Sequence, residues 1–93
     1  MSEPTFARCR IVITGTVTGV GLRYHSRELA QRLNCTGFVR NGTNAVTIEV
    51  EGSQKAVHEF IMHLHHFPPT FAHFTSFTTK DIPAAGDTDF YIL

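Results

Sequence analysis

The stretch RCRIVITGTVTGVGLR, Arg8 to Arg23, decides how the rest of the chain is read. Its first half alternates. Cys9, Ile11 and Ile13 fall on one side and Arg8, Arg10, Val12 and Thr14 on the other, the two-residue period of a strand with one buried face. Its second half carries Gly15, Gly19 and Gly21 ahead of Arg23. Beyond it, Leu22, Leu29, Ala30 and Leu33 recur at helical spacing, with Arg27, Glu28, Gln31 and Arg32 as a polar face. A helix is expected from about Tyr24 to Leu33. Asn34 suits its C-terminal stop, because asparagine tolerates the left-handed conformation.

A glycine-rich turn between a strand and a helix can point several backbone N–H groups into one concavity. The positive end of the helix dipole adds to them, and the result is an anion nest. Gly19 and Gly21 would allow close approach to the anion, where a Cβ would crowd it. The Arg23 guanidinium can grip a phosphate or carboxylate with two parallel hydrogen bonds. A plain turn with a surface arginine fits the same residues. The spacing is neither the dinucleotide fingerprint nor a P-loop.

The pattern continues outward. Thr36–Asn41 reads as a second strand, Asn41-Gly42 as a turn favouring positive φ, and Ala45–Glu51 as a third strand with Val46, Ile48 and Val50 on one face. Ser53 is a good N-cap for a helix over Gln54–His66, whose apolar face is Val57, Phe60, Ile61 and Leu64. Pro68-Pro69 ends it. Phe71–Thr79 reads as a fourth strand, Asp81–Asp89 as a polar loop, and Phe90–Leu93 as a short last strand. Residues 1–7 read as a loose lead-in to a single domain over 1–93. The order is β-α-β-β-α-β, which makes an α+β, ferredoxin-like sandwich: an antiparallel sheet with two helices on one face.

Composition narrows the function. Ninety-three residues with eight Lys+Arg against eight Asp+Glu give no net charge. Neither a basic excess nor a basic stripe marks a nucleic-acid binder. No apolar run approaches the roughly 18 residues that span a bilayer. No secretory signal opens the chain, so Cys9 and Cys35 read as reduced thiols, Cys9 in the core, and a cytoplasmic location is expected. The eight phenylalanines read as core between helices and sheet. His25, His58, His63, His65, His66 and His73 invite a metal site, but no partner cysteine or glutamate completes one, and no metal is expected. His25 reads as structural.

Two motifs together carry a family resemblance. Gly15–Arg23, with GFVRN at Gly37–Asn41, resembles the acylphosphatases, which share a G-x-V-Q-G-V-x-F-R loop and a G-[aromatic]-V-[basic]-N segment. His25-Ser26 resembles the H-[ST] that follows the loop in small members. The resemblance runs from about Arg8 to Leu93. It implies the same ferredoxin-like fold, and hydrolysis of the carboxyl–phosphate bond of small acyl phosphates without any cofactor. It implies that Arg23 binds the phosphate. Backbone amides of Val17, Thr18, Gly19, Val20, Gly21 and Leu22 would cradle its oxygens, and Asn41 would hold the attacking water. Inorganic phosphate or another anion would also fit the loop, and a monomer is expected.

Three departures stand out. Thr18 replaces the loop glutamine, Leu22 replaces the aromatic before the arginine, and the turn after Asn41 is one residue short, which is expected to bear on efficiency. That short turn and Pro68-Pro69 also resemble the domain that opens hydrogenase-maturation carbamoyltransferases, whose substrate is carbamoyl phosphate. Against that reading, the chain stops at Leu93 with no zinc-finger cysteines. A non-catalytic ferredoxin-like binding module is the other alternative. An RNA-binding version of it needs aromatics on the open sheet face.

Overall fold

A computed structural model describes residues 5–93. The elements are β1 (Phe6–Thr16), α1 (Leu22–Arg32), β2 (Thr36–Asn41), β3 (Ala45–Ser53), α2 (Gln54–His66), β4 (His73–Ile82) and β5 (Phe90–Ile92). They form one sheet in the order β4-β1-β3-β2-β5. Both helices lie on the face where the apolar positions of the alternating strands converge.

That face explains the packing. Cys9, Ile11 and Ile13 of β1 meet Val46, Ile48 and Val50 of β3, all buried. Val39 of β2 joins them. Leu29 and Ala30 come down from α1, and Val57, Phe60 and Leu64 from α2. Phe60 meets Phe90 of β5 with ring centroids 6.2 Å apart.

The expected sandwich is present, with differences in detail. Four strands pair antiparallel, but β5 runs parallel to β2, so the sheet is mixed. β1 begins at Phe6 rather than Arg8, because Phe6 pairs with Ser53 and Ala7 with Gly52. Thr5 also takes part, its carbonyl accepting from the Gln54 N–H at the start of α2. The expectation of a loose lead-in therefore fails from Thr5 onward, and its remainder, 1–4, lies outside the described residues. The phenylalanines are not uniformly core. Phe60 and Phe90 are buried, whereas Phe6 at the start of β1, ahead of its pairing with β4, and Phe67 and Phe71 after α2 are exposed.

The opposite sheet face carries Arg8, Arg10 and Thr47, and also Phe38 beside Tyr91 on the β2–β5 edge. Arg8 is not a surface residue. It is buried against Glu49, Glu51 and Asp87. No helix among the described residues is long and apolar enough to cross a membrane.

Candidate active site

The site is built where β1 ends. At Thr14/Gly15 the register of β1 against β4 slips. Gly15 has φ 127°, and a Cβ there would lie 2.1 Å from the His73 carbonyl oxygen, so only glycine lets the two strands close. The chain then anchors itself at both ends of the loop. Val17 and Leu22 are buried in the core, and Val20 is partly buried against it.

Helix α1 starts at Leu22, two residues earlier than the apolar pattern suggests. Its N-cap is Gly21, left-handed at φ 81°, with no side-chain cap. No acidic residue occupies the first turn. Among the described residues, the N–H groups of Val17, Thr18, Gly19, Val20, Gly21 and Leu22 make no hydrogen bond to another backbone group. A set of free donors at an uncapped helix start has the chemistry of an anion site. A Cβ built on Gly19 or Gly21 meets nothing within 4 Å, so the protein itself leaves that space open.

Asn41 arrives from the other side, as the last residue of β2, paired with Val46. The turn beyond it closes with the Gly42 N–H on the Ala45 carbonyl at 2.8 Å. The left-handed residue of this turn is Asn44, not the Asn41-Gly42 pair expected from the sequence. Asn41 is thereby kept in the ladder, and the short turn does not pull it out. Its Oδ1 is buried without a hydrogen-bond partner among the described residues. An unmet buried acceptor costs on the order of 1–3 kcal/mol, so its position calls for a reason.

A cleft of about 150 Å³ joins these parts. Val17, Gly19, Gly21, Leu22, Arg23, Tyr24 and Asn41 line it. Six of the eight residues expected from the sequence thus come together, while Thr18 and Val20 sit in the loop without lining the cleft. Arg23 makes no ion pair among the described residues. Tyr24 was not singled out from sequence. Its one signal was its place next to Arg23 in the first turn of an exposed helix start.

His25 does not line the cleft. Burial and the nearby charge of His63 push its pKa below the ordinary value, against an opposing pull from Glu28 and the Phe67 backbone. Its Nε2 is buried without a partner among the described residues. Ser26 is fully buried and donates to its own helix, at the Leu22 carbonyl, 2.7 Å away. A wider groove of about 520 Å³ lies between α1 and α2, lined by residues such as Leu29, Met62 and Phe67. Apolar atoms make up most of its wall, though Arg32, Glu59, His63 and His66 also border it, and none of the expected site residues does. Among the described residues no three His, Cys, Asp or Glu side chains converge as a metal site. Cys9 and Cys35 are buried free thiols.

The chain is similar to known proteins over nearly its whole length. The family model described as Acylphosphatase matches residues 9–92. The chain belongs to the acylphosphatase family. An acylphosphatase from Treponema denticola is 37% identical, aligned over 99% of this chain and 98% of its own. The acylphosphatase structure from Bacillus subtilis superposes with a TM-score of 0.87 at 27% identity, covering 94% of this chain and 98% of that one. Full-length HypF in its phosphate- and nucleotide-bound form superposes at 0.94 with 30% identity. There the match takes in 99% of this chain but 12% of the HypF chain.

Proposed function

We propose that this chain is an acylphosphatase acting on small acyl phosphates, with Arg23 and the Val17–Leu22 amides holding the phosphate and Asn41 holding the water. The observation that supports this best is the single small cleft that pairs unpaired Arg23 and free loop amides with the unmet Oδ1 of Asn41.

The chemistry asks for little more. The water oxygen bonds to phosphorus as the bond from phosphorus to the acyl oxygen breaks. The electron pair leaves with the carboxylate. A carboxylate is a weak base, so it departs without a general acid, and no metal or organic cofactor is required. What remains is positioning and stabilisation of charge on the transferring phosphoryl group. Arginine and a ring of amides supply the second. The Asn41 oxygen accepts from the water and its nitrogen can donate, but it is a poor base. The water proton therefore passes late, to a phosphate oxygen.

We read the chain as one acylphosphatase domain, cytoplasmic and monomeric, with inorganic phosphate as the simplest anion for the loop. Nucleic acid is not a partner on this reading. The central strands present Arg10, Glu49 and Thr47 on the open face, and the aromatic pair Phe38–Tyr91 lies at one edge.

The test is hydrolysis of benzoyl phosphate by the pure protein with a chelator present, alongside carbamoyl phosphate. Hydrolysis of benzoyl phosphate that survives the chelator supports the reading. Turnover of carbamoyl phosphate alone favours the HypF-like alternative, and turnover of neither favours a binding module. An Asn41→Asp variant more than about tenfold faster at neutral pH contradicts the late proton transfer.

A further inference from the structure

We propose that Tyr24 is the contact for the acyl group, which makes the site favour flat apolar acyl groups over small ones. This inference rests on the acylphosphatase reading above and specifies its substrate class.

The cleft is small. At about 150 Å³ it is well below the roughly 300 Å³ at which pockets begin to enclose an organic ligand. Its polar parts, Arg23, Asn41 and the loop amides, account for a phosphate and a water. The acyl group therefore lies at the mouth. There, Tyr24 is 60% exposed, and among the described residues it is the one exposed large apolar side chain that lines the cleft. The seat of the acyl group is then an aromatic ring rather than an apolar hole.

The ring is also held in place. Arg27, one turn further along α1, sits 5.5 Å from the ring centroid. Arg27 makes no ion pair among the described residues, so its charge is not committed to an acid. One side of the ring is thus occupied and its motion reduced before any substrate arrives, which lowers the ordering cost of binding. Being exposed, the ring contributes little to the core, so its removal leaves the fold intact. A flat acyl group stacks on it; an acetyl group is too small to gain much.

The experiment compares Tyr24→Ala and Tyr24→Phe with the parent on benzoyl and acetyl phosphate. It also measures calorimetric binding of two inert analogues whose bridging oxygen is a methylene, phenacylphosphonate and acetonylphosphonate. The parent is expected to prefer the phenyl compound in each pair. Tyr24→Ala is expected to lose about three- to tenfold in KM and in affinity for the phenyl compounds only. Tyr24→Phe is expected to keep the preference. An unchanged preference in Tyr24→Ala overturns the inference, as does an equal loss for both acyl groups. If the parent hydrolyses neither substrate yet binds phenacylphosphonate through Tyr24, the hydrolase reading falls and the acyl contact stands. If it binds neither analogue, both fall.

Discussion

Arg8 donates from Nη1 to Glu51 Oε1 at 3.0 Å, straight across the β1–β3 pair in which the two residues are register partners. The pair is largely shielded from water, with side-chain exposures of 3% and 12%. Arg8 also reaches Glu49 and Asp87, and Glu51 accepts the N–H groups of Ala85 and Gly86 at 2.7 and 3.2 Å. The reason is topological. β4 and β5 lie at opposite edges of the sheet, so the chain between them must pass the ends of the strands in between. Glu51 and Arg8 tie that crossing down.

Removing Glu51 leaves a buried guanidinium with less compensation and two backbone donors without their acceptor. Glu51→Ala is expected to cost about 3 kcal/mol in urea unfolding. Catalysis in the surviving folded fraction is expected to stay near the parent rate, because the network sits at the other end of β1 from the glycine loop.

The same network sets an acid limit. Burial alone would raise the Glu51 carboxyl, but the Ala85 and Gly86 amides and Arg8 together hold it below the ordinary glutamate value. Glu49 is held low in the same way, its burial outweighed by Arg8 and Arg10. A lowered folded pKa means that the unfolded chain takes up protons first. The stabilisation is complete above about pH 4.3, the ordinary glutamate value, and is lost as pH falls through the folded values. Urea midpoints are expected to be flat on this account above about pH 5.5 and to drop below about pH 4.3, with a shallower drop in Glu51→Gln.

His25 adds a separate window. Its folded pKa is depressed, chiefly by burial, so the unfolded state again binds the proton first. Stability falls as pH drops below about 6.5, the ordinary histidine value. His25→Leu is expected to remove most of the slope between about pH 6.5 and 5 while leaving the glutamate step. A slope that persists in the variant would place the titration on another histidine.

Much of this was legible in the sequence. Thr36–Asn41 and Gln54–His66 have the bounds expected of them, because Asn34, Gly52 and Pro68-Pro69 punctuate them locally. The Ser53 cap is present, accepting from the Ala56 N–H at 3.0 Å. What escaped was tertiary. Phe6 gives no strand signal of its own; Ser53, 47 positions on, pairs with it. The start of α1 is capped by a left-handed glycine, so no Ser, Thr or Asp announced it. Three residues of β5 cannot reveal that they run parallel to β2. Arg8 alternates as a surface residue does, and its burial depends on a distant loop. In the cleft, Arg23 and the glycines could be read as an anion-holding turn from type and spacing, Asn41 entered only through the family resemblance, and Tyr24 depended on what it is exposed to.

Glycine substitutions separate fold from site. At Gly15→Ala the new methyl collides with backbone of β4, and a cost above about 3 kcal/mol is expected, seen as loss of the folded fraction. At Gly21→Ala nothing collides, and the left-handed φ alone should cost about 1–2 kcal/mol. Thermal melts of the two variants measure the contrast directly, and similar losses at both sites would contradict it.

The most direct test of the central claim is single-variant kinetics on benzoyl phosphate with a chelator present, in proteins whose melting shows them folded. Arg23→Ala and Asn41→Ala are each expected to lose about a hundred- to a thousandfold in kcat/KM. Arg23→Lys should recover little of it, since an ammonium lacks the two-pronged grip. Inorganic phosphate should no longer inhibit Arg23→Ala, yet still inhibit Asn41→Ala. Activity within about threefold of the parent in either alanine variant would contradict the assignment of Arg23 to phosphate and Asn41 to water.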